Sequence, residues 1–372
     1  MTQYTIRHPE QIVTPALIYY RELFQKNTDA IIRLAGGADR LWPHVKTHKC
    51  IEMVRFQIRR GIRRFKCATV AELEMVCEAG AEAAILAMPP SGPTPQRIAA
   101  LRQAYPQVAI YGIVDCEAHL SAYSDAARKH RTEIPLLLDV NMGMDRTGIP
   151  TDQAAAFYKR AAAVPGLRLC GLHCYDGNRH EKDLQERQRC VDRDDAGVFA
   201  VRRQLQAEGY CVEYMVLGGS PSFPCHVRHY EEGVYYSPGT IFLNDMGYLA
   251  SFPDLPMVPA AAILCRVISH PAPGRFTLDL GYKGIAGDPA MDKRGTVFGL
   301  EHCHPVLQSE EHYVFQMDQG FEEQAPDIGT ELYVVPYHVC PCAALYPSVL
   351  IAENGEITGE WEVTARNRKI HF

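Results

Sequence analysis

Between Pro15 and about Asp245 the chain alternates short apolar runs with longer amphipathic stretches, and this rhythm constrains the fold more than any other feature. The runs Phe65–Ala68, Ala84–Ala87, Ala109–Ile113, Leu136–Val140, Leu169–Cys174 and Met215–Gly218 read as strands. Helical spacing of apolar residues marks Tyr20–Ala35, Val70–Ala79, Pro95–Ala104 and Gln153–Ala163 as helices. Repeated strand–helix units give a parallel sheet, and eight of them make a (β/α)8 TIM-type barrel of roughly 200–250 residues. The available span fits that size.

After about Tyr248 the rhythm changes to Val, Ile, Thr and Tyr runs broken by Gly and Pro, as in RFTLDLGYKG, HYVFQM, ELYVVPYHVC and SVLIAENGEITGEW. These read as strands joined by hairpins, and Asn354-Gly355 is a strong two-residue turn signal. The expected organisation is a barrel over residues 15–248 and a mostly antiparallel β domain over 249–372, with residues 1–14 packing on the β domain.

Composition narrows the function classes. Hydrophobic residues make up 47% of the chain and charged residues 22%, which excludes disorder. A net charge of −6 argues against a nucleic-acid face, so a small-molecule partner is expected. No apolar run approaches the ~20 residues of a membrane helix, and the N-terminal MTQYTIRHPEQIVTP has no signal-like apolar core. Thirteen scattered cysteines read as reduced thiols of a cytoplasmic protein, most of them plain core residues.

Several segments carry chemistry. Leu41–Lys49 should form a short strand toward the barrel's C-terminal face, and an inward-facing Lys46 there would be desolvated and able to form a Schiff base. The competing reading makes Lys46 and Lys49 surface lysines. Gly218, Gly219 and Ser220 follow an apolar strand, and Gly239 and Thr240 repeat the pattern one unit on. Such loops can cradle an anion, although each alone could be a tight turn. His338 and Cys340 stand two apart on an expected strand, hence on one face, where imidazole and thiolate suit Zn²⁺ as a Lewis acid. Cys342 continues that stripe, and His302-Cys303-His304 offers another cluster. Arg146 ends a strand where it can meet a phenolic or carboxylate oxygen, or simply pair with Asp139 or Asp145. His173 and Tyr175 end another strand, with His180 in the loop beyond.

Taken together, TPALIYY, PHVKTHK, DVNMGMDRTGI, HCYDG, LGGSPSF, SPGTIFLND and HVCPCAALYPSVLIAENGEITGEW, in this order along nearly the whole chain, resemble the fold-type III pyridoxal phosphate (PLP) enzymes related to alanine racemase. Within these, the chain resembles the D-serine dehydratase and D-threonine aldolase group. The resemblance implies that Lys46 carries the cofactor, that Gly218, Gly219, Ser220, Gly239 and Thr240 hold its phosphate, and that Arg146 lies near its phenolic oxygen. It places Tyr175 and His173 by the ring and makes His338 and Cys340 the pair for a divalent metal, Zn²⁺ first, with Mn²⁺ or Mg²⁺ as alternatives.

The implied function is a lyase acting on β-hydroxy-D-amino acids. Lys46 would remove the α-proton for dehydration to a 2-oxo acid and ammonia; His180 or a metal-bound water would deprotonate the hydroxyl for aldol cleavage to glycine and an aldehyde. Dehydratases of the group resemble this chain in their His-x-Cys pair, which tilts the expectation toward elimination. Cys342 stands where relatives often carry Thr. A racemase needs no metal, and non-catalytic cofactor-binding proteins of this fold lack the β domain. A homodimer is implied by the resemblance alone.

Overall fold

Fully apolar runs of four to eight residues become interior strands because both of their faces find cover, and the amphipathic stretches between them supply it as helices. The computed structural model describes residues 3–371. In chain order its main elements are β1 (Ala16–Tyr20), α1 (Arg21–Ala35), α2 (Ile51–Arg59), β2 (Arg64–Cys67), α3 (Val70–Glu78), β3 (Ala83–Leu86), α4 (Thr94–Ala104), β4 (Ala109–Val114), α5 (Glu117–His130) and β5 (Ile134–Asn141). There follow β6 (Ile149–Pro150), α6 (Thr151–Ala162), β7 (Leu167–Cys174), α7 (Leu184–Ala207), β8 (Tyr214–Leu217), α8 (Phe223–His226), β9 (Val234–Tyr236) and α9 (Met246–Ser251). The chain then continues through β10 (Ala261–Ala272), β11 (Arg275–Leu278), β12 (Gly295–Val297), β13 (Cys303–Gln308), β14 (Tyr313–Met317), β15 (Glu331–Pro336), α10 (Val339–Leu345), β16 (Ser348–Glu353) and β17 (Glu356–Glu362).

The chain divides into two compact units. The first to consider, made of residues 31–46 and 51–239 with the C-terminal residues from Asn367, is the barrel. Its parallel sheet runs β2-β3-β4-β5-β7-β8-β9. Residues 41–44 close the ring as an eighth strand, since Leu41 bridges Tyr236 and His44 bridges Lys66, both in parallel sense. Trp42 fills the middle of the interior, its ring edge-on to Tyr111, Tyr214 and Tyr235 at 5.8, 5.6 and 5.4 Å. Its indole N–H donates to the Phe65 carbonyl, so this buried polar group is satisfied. The segment 41–49 differs from its expected form. Only residues 41–44 are strand-like, and Lys46 sits in a 3-10 turn spanning Val45–Thr47 that ends the strand at the barrel's C-terminal face.

The second unit comprises the chain up to Ala30, residues 47–50 and residues 240–366. Its nine-stranded sheet runs β13-β14-β11-β10-β1-β16-β17, with β15 pairing β10 and β12. All pairings are antiparallel except β1 with β16. Tyr4 and Ile6 are buried in its core with Ile18, Tyr20, Leu264 and Val335. This division differs from a single cut at residue 248. The β1 strand belongs to this sheet because its register is fixed by β10 and β16, far away in the chain. Asn354 and Gly355 both have positive φ (52° and 78°), as the expected β16–β17 turn requires.

The HVCPC segment is the second departure: β15 stops at Pro336, His338 occupies the N-cap position of α10, and Cys340 lies in that helix's first turn. Pro341 is tolerated there because first-turn N–H groups have no intrahelical partner.

Candidate functional site

Within the barrel unit, the chemistry-bearing side chains gather at or just past the C-terminal ends of the strands. Tyr175, directly after β7, is the common reference. The Arg146 guanidinium carbon lies 4.8 Å from its ring centroid, Lys66 Nζ 5.3 Å and Lys46 Nζ 5.9 Å. Three cations therefore surround one half-buried aromatic ring. Arg146 pairs with neither Asp139 nor Asp145. Asp139 Oδ1 lies 2.6 Å from His173 Nδ1, and Asp145 accepts from Asn141. Burial pulls the His173 pKa down against the pull of Asp139. His173 Nε2 and Asp139 Oδ2 are buried and find no hydrogen-bond partner among the described residues. Orphaned polar atoms of this kind mark a place that a ligand completes.

The glycine loop after β8 is shaped more than it is donating. Gly218 has φ +71°, and a Cβ there would stand 2.5 Å from the His226 ring. The Gly218 N–H donates to the Cys174 carbonyl and the Gly219 N–H to Ser222 Oγ. Ser220 Oγ accepts from the Gly239 N–H at 3.0 Å, which joins the loops after β8 and β9 and leaves the hydroxyl proton for an outside acceptor.

Beneath that loop lies a network that sequence patterns did not reveal. His226, 1% exposed, has Nδ1 2.9 Å from Asp195 and Nε2 2.9 Å from Asp176, and Asp176 also accepts from the Ser222 hydroxyl. Burial opposes charge on His226, but the two carboxylates outweigh it and push its pKa up to about 10. The nearest sequence signal was the density of acidic residues on α7.

Lys66 was missed as well. It is 2% exposed on β2, and desolvation, reinforced by Lys46 and Arg146 and opposed by Asp176 and Asp139, lowers its pKa to about 7. The available signal was the alternation in Arg64-Phe65-Lys66-Cys67, which puts both cations on one face of a strand with two covered faces. His180 is exposed in the loop before α7 and joins none of these contacts.

In the second unit, His338 and Cys340 do come together, brought there by the cap and first turn of α10 rather than by a strand. His338 Nδ1 lies 2.5 Å from Asp288, and Cys340 stands close enough to His338 to act on its charge. Burial lowers the His338 pKa, but Cys340 and Asp288 prevail and hold it at about 9. Cys340 Sγ lies 3.3 Å from Thr47 Oγ1 and 3.4 Å from Thr240 Oγ1. Thr47 directly follows Lys46 in the chain, and Thr240 directly follows Gly239. Asp245 accepts the Val339 and Tyr248 N–H groups and thereby caps α10 and α9 together.

Cys342 does not extend the pair. It is fully buried, donates to the His338 carbonyl and accepts the Ala286 N–H. His302 stacks on Phe321, and His304 pairs with Asp318. The one tight group of three His, Cys or Asp/Glu side chains among the described residues is Asp115, Cys116 and His119, just past β4 in the barrel unit.

Comparison with known proteins now decides the family. The model of the alanine racemase N-terminal domain matches residues 21–241, and that of a serine dehydratase domain matches residues 260–352. D-threonine aldolase from an Arthrobacter species is 30% identical over 96% of this chain and 93% of its own. The chain belongs to the fold-type III PLP enzymes. Within that family, the solved D-threonine aldolase of Filomicrobium marinum is 26% identical, with a TM-score of 0.88 over 98% of this chain and 99% of that one. The D-threo-3-hydroxyaspartate dehydratase of a Delftia species shares the fold, with a TM-score of 0.81 at 22% identity over 95% of this chain and 98% of that one. No helix among the described residues is long and apolar enough to cross a membrane.

The residues present fit both groups the family implies. In the barrel unit, a half-buried amine, a cluster of cations, a free hydroxyl on a glycine loop and two orphaned polar atoms suit an aromatic aldehyde that carries a phosphate. In the second unit, an imidazole oriented by a carboxylate and a neighbouring thiol form a borderline-soft donor pair suited to Zn²⁺.

Proposed function

We propose that this family member is a PLP- and divalent-metal-dependent lyase that removes water from β-hydroxy-D-amino acids, giving a 2-oxo acid and ammonia in the manner of D-serine dehydratase. The observation that carries the reading is the His338–Cys340 pair with Asp288 behind it. A solved dehydratase relative supports it: its structures include a cysteine-to-alanine variant in metal-free form and a histidine-to-alanine variant, at positions two residues apart.

The cofactor, held by Lys46, supplies an electron sink for the charge that develops at the substrate α-carbon. The chain's own residues do the rest. The Ser220 hydroxyl, oriented by the Gly239 N–H, would donate to the phosphate end, Arg146 would neutralise the ring oxygen, and Tyr175 would order the cations beside it. Lys46, the residue that would hold the cofactor, would also serve as the base for the α-proton. His338, held by Asp288, and Cys340 would hold a Zn²⁺ ion, which would supply Lewis acidity for the departing hydroxyl. Thirteen cysteines with no disulfide among the described residues support a reduced, cytoplasmic setting. A homodimer completes the proposal by family resemblance.

Aldol cleavage to glycine and an aldehyde is the second reading, favoured by 30% identity to a D-threonine aldolase over nearly the whole chain. It needs a base for the substrate hydroxyl, and the expected candidate, His180, is exposed. The purified protein is incubated with D-serine, D-threonine and 3-hydroxy-D-aspartate, with and without Zn²⁺ or Mn²⁺. Oxo acid with equimolar ammonia is the expected result; glycine with an aldehyde transfers the assignment to the aldolases.

A further inference from the structure

Lys66 is a buried cation that the proposed reaction does not use. Its place is fixed by register: it pairs with Ile85 on β3, which pairs with Tyr111 on β4, and both belong to the barrel interior. Lys66 therefore points inward one residue before β2 ends. Lys46, Arg146, Asp139, His173, Tyr175 and Asp176 surround it.

Of the two nearby carboxylates, Asp139 has one oxygen committed and Asp176 has both. Asp139 holds His173, and Asp176 holds His226 and Ser222. No carboxylate forms an ion pair with Lys66 among the described residues. A buried ammonium without a counter-ion is costly, so its anion is expected from a ligand.

We propose that Lys66 binds the phenolic ring oxygen of the cofactor, alongside Arg146. The inference rests on the PLP reading above and adds a residue to it. The order of groups around the barrel supports this assignment. On the cofactor's pyridine ring, the aldehyde carbon lies between the carbon that bears the oxygen and the carbon that leads to the phosphate. In the barrel, the segment ending at Lys46 lies between β9, next to the Ser220 and Gly239 loops, and β2, which carries Lys66. With the aldehyde at Lys46 and the phosphate at Ser220, the ring oxygen falls on the β2 side. The same order separates Lys66 from the phosphate.

The test uses the full chain stripped of cofactor and two probes that lack the aldehyde: pyridoxine 5′-phosphate and its 3-deoxy analogue, which also lacks the ring oxygen. Calorimetry reads their affinities. Lys66→Met should weaken pyridoxine 5′-phosphate by about ten- to a hundredfold, as expected for loss of a charged hydrogen bond. It should leave the 3-deoxy analogue unchanged, and Lys66→Arg should restore most of the loss. If Lys66→Met does not fold, Lys66→Gln serves in its place. Equal weakening of both probes, or no weakening of either, overturns the proposal. Failure of the unsubstituted chain to bind either probe overturns the cofactor reading itself.

Discussion

His226 shows how much a single side chain can hold in place. A charged imidazole between Asp176 and Asp195 fixes the loop after β7 to α7, and through Ser222 it fixes the glycine loop. Its folded pKa of about 10 lies above the ~6.5 of an unfolded histidine. The stabilisation is therefore fully present below about pH 6.5 and is lost as pH rises through about 10. His226→Asn leaves two buried carboxylates facing each other without a cation, at a cost of about 3–5 kcal/mol. Urea unfolding from pH 6.5 to 10 should show a stability that falls with pH in the native chain and a flatter, lower profile in the variant. Parallel profiles would mean that His226 is neutral. At the same scale, Lys46→Ala should lose the visible absorption of the lysine-bound cofactor. Cys340→Ala should keep that absorption and lose turnover by at least about a hundredfold, by analogy with loss of a major electrostatic catalytic group. Spectra and initial rates separate the two effects.

At the scale of elements, legibility followed covalent reach. β3, β5 and β7 lie within about two residues of their expected positions because a strand buried on both faces writes itself as a short apolar run. Segments that depend on distant partners were not legible. The TPALIYY run falls inside the range expected for the barrel, yet β10 and β16 claim it. In HVCPC, alternation suggested a strand, but Asp245 supplies an acceptor for the Val339 N–H, and the segment turns into helix at His338. The pairing of His338 with Cys340 was legible, whereas the reason for it was not. Asp245 anchors both α9 and α10, so Asp245→Ala removes two caps at once. Each is worth on the order of 1 kcal/mol, and the loss should lower the melting temperature. Because His338 is the cap residue of α10, the variant should also retain less Zn²⁺ after gel filtration, read by atomic emission. Unchanged metal content with a lowered melting temperature would confine Asp245 to a structural role.

Across the whole molecule, the division of labour follows the division of the chain. Every residue proposed to grip the cofactor, except Thr240, lies in the barrel unit, and the metal pair lies wholly in the second. Within the second unit the Thr240 hydroxyl meets Cys340, while Gly239, which precedes it in the chain, serves the glycine loop. Because the two donor sets share no side chain, metal removal and cofactor removal should be separable. Dialysis against a chelator should abolish turnover while the cofactor's absorption remains, and Zn²⁺ should restore the rate. Hydroxylamine, which strips the cofactor, should leave the bound metal in place. Each group stabilises the folded chain by mass action, about 2.7 kcal/mol at a concentration a hundred times its dissociation constant, so thermal unfolding should show two additive increments. If the chelator bleaches the cofactor, or if the increments are strongly non-additive, the sites are coupled and the metal serves cofactor binding rather than the departure of the hydroxyl.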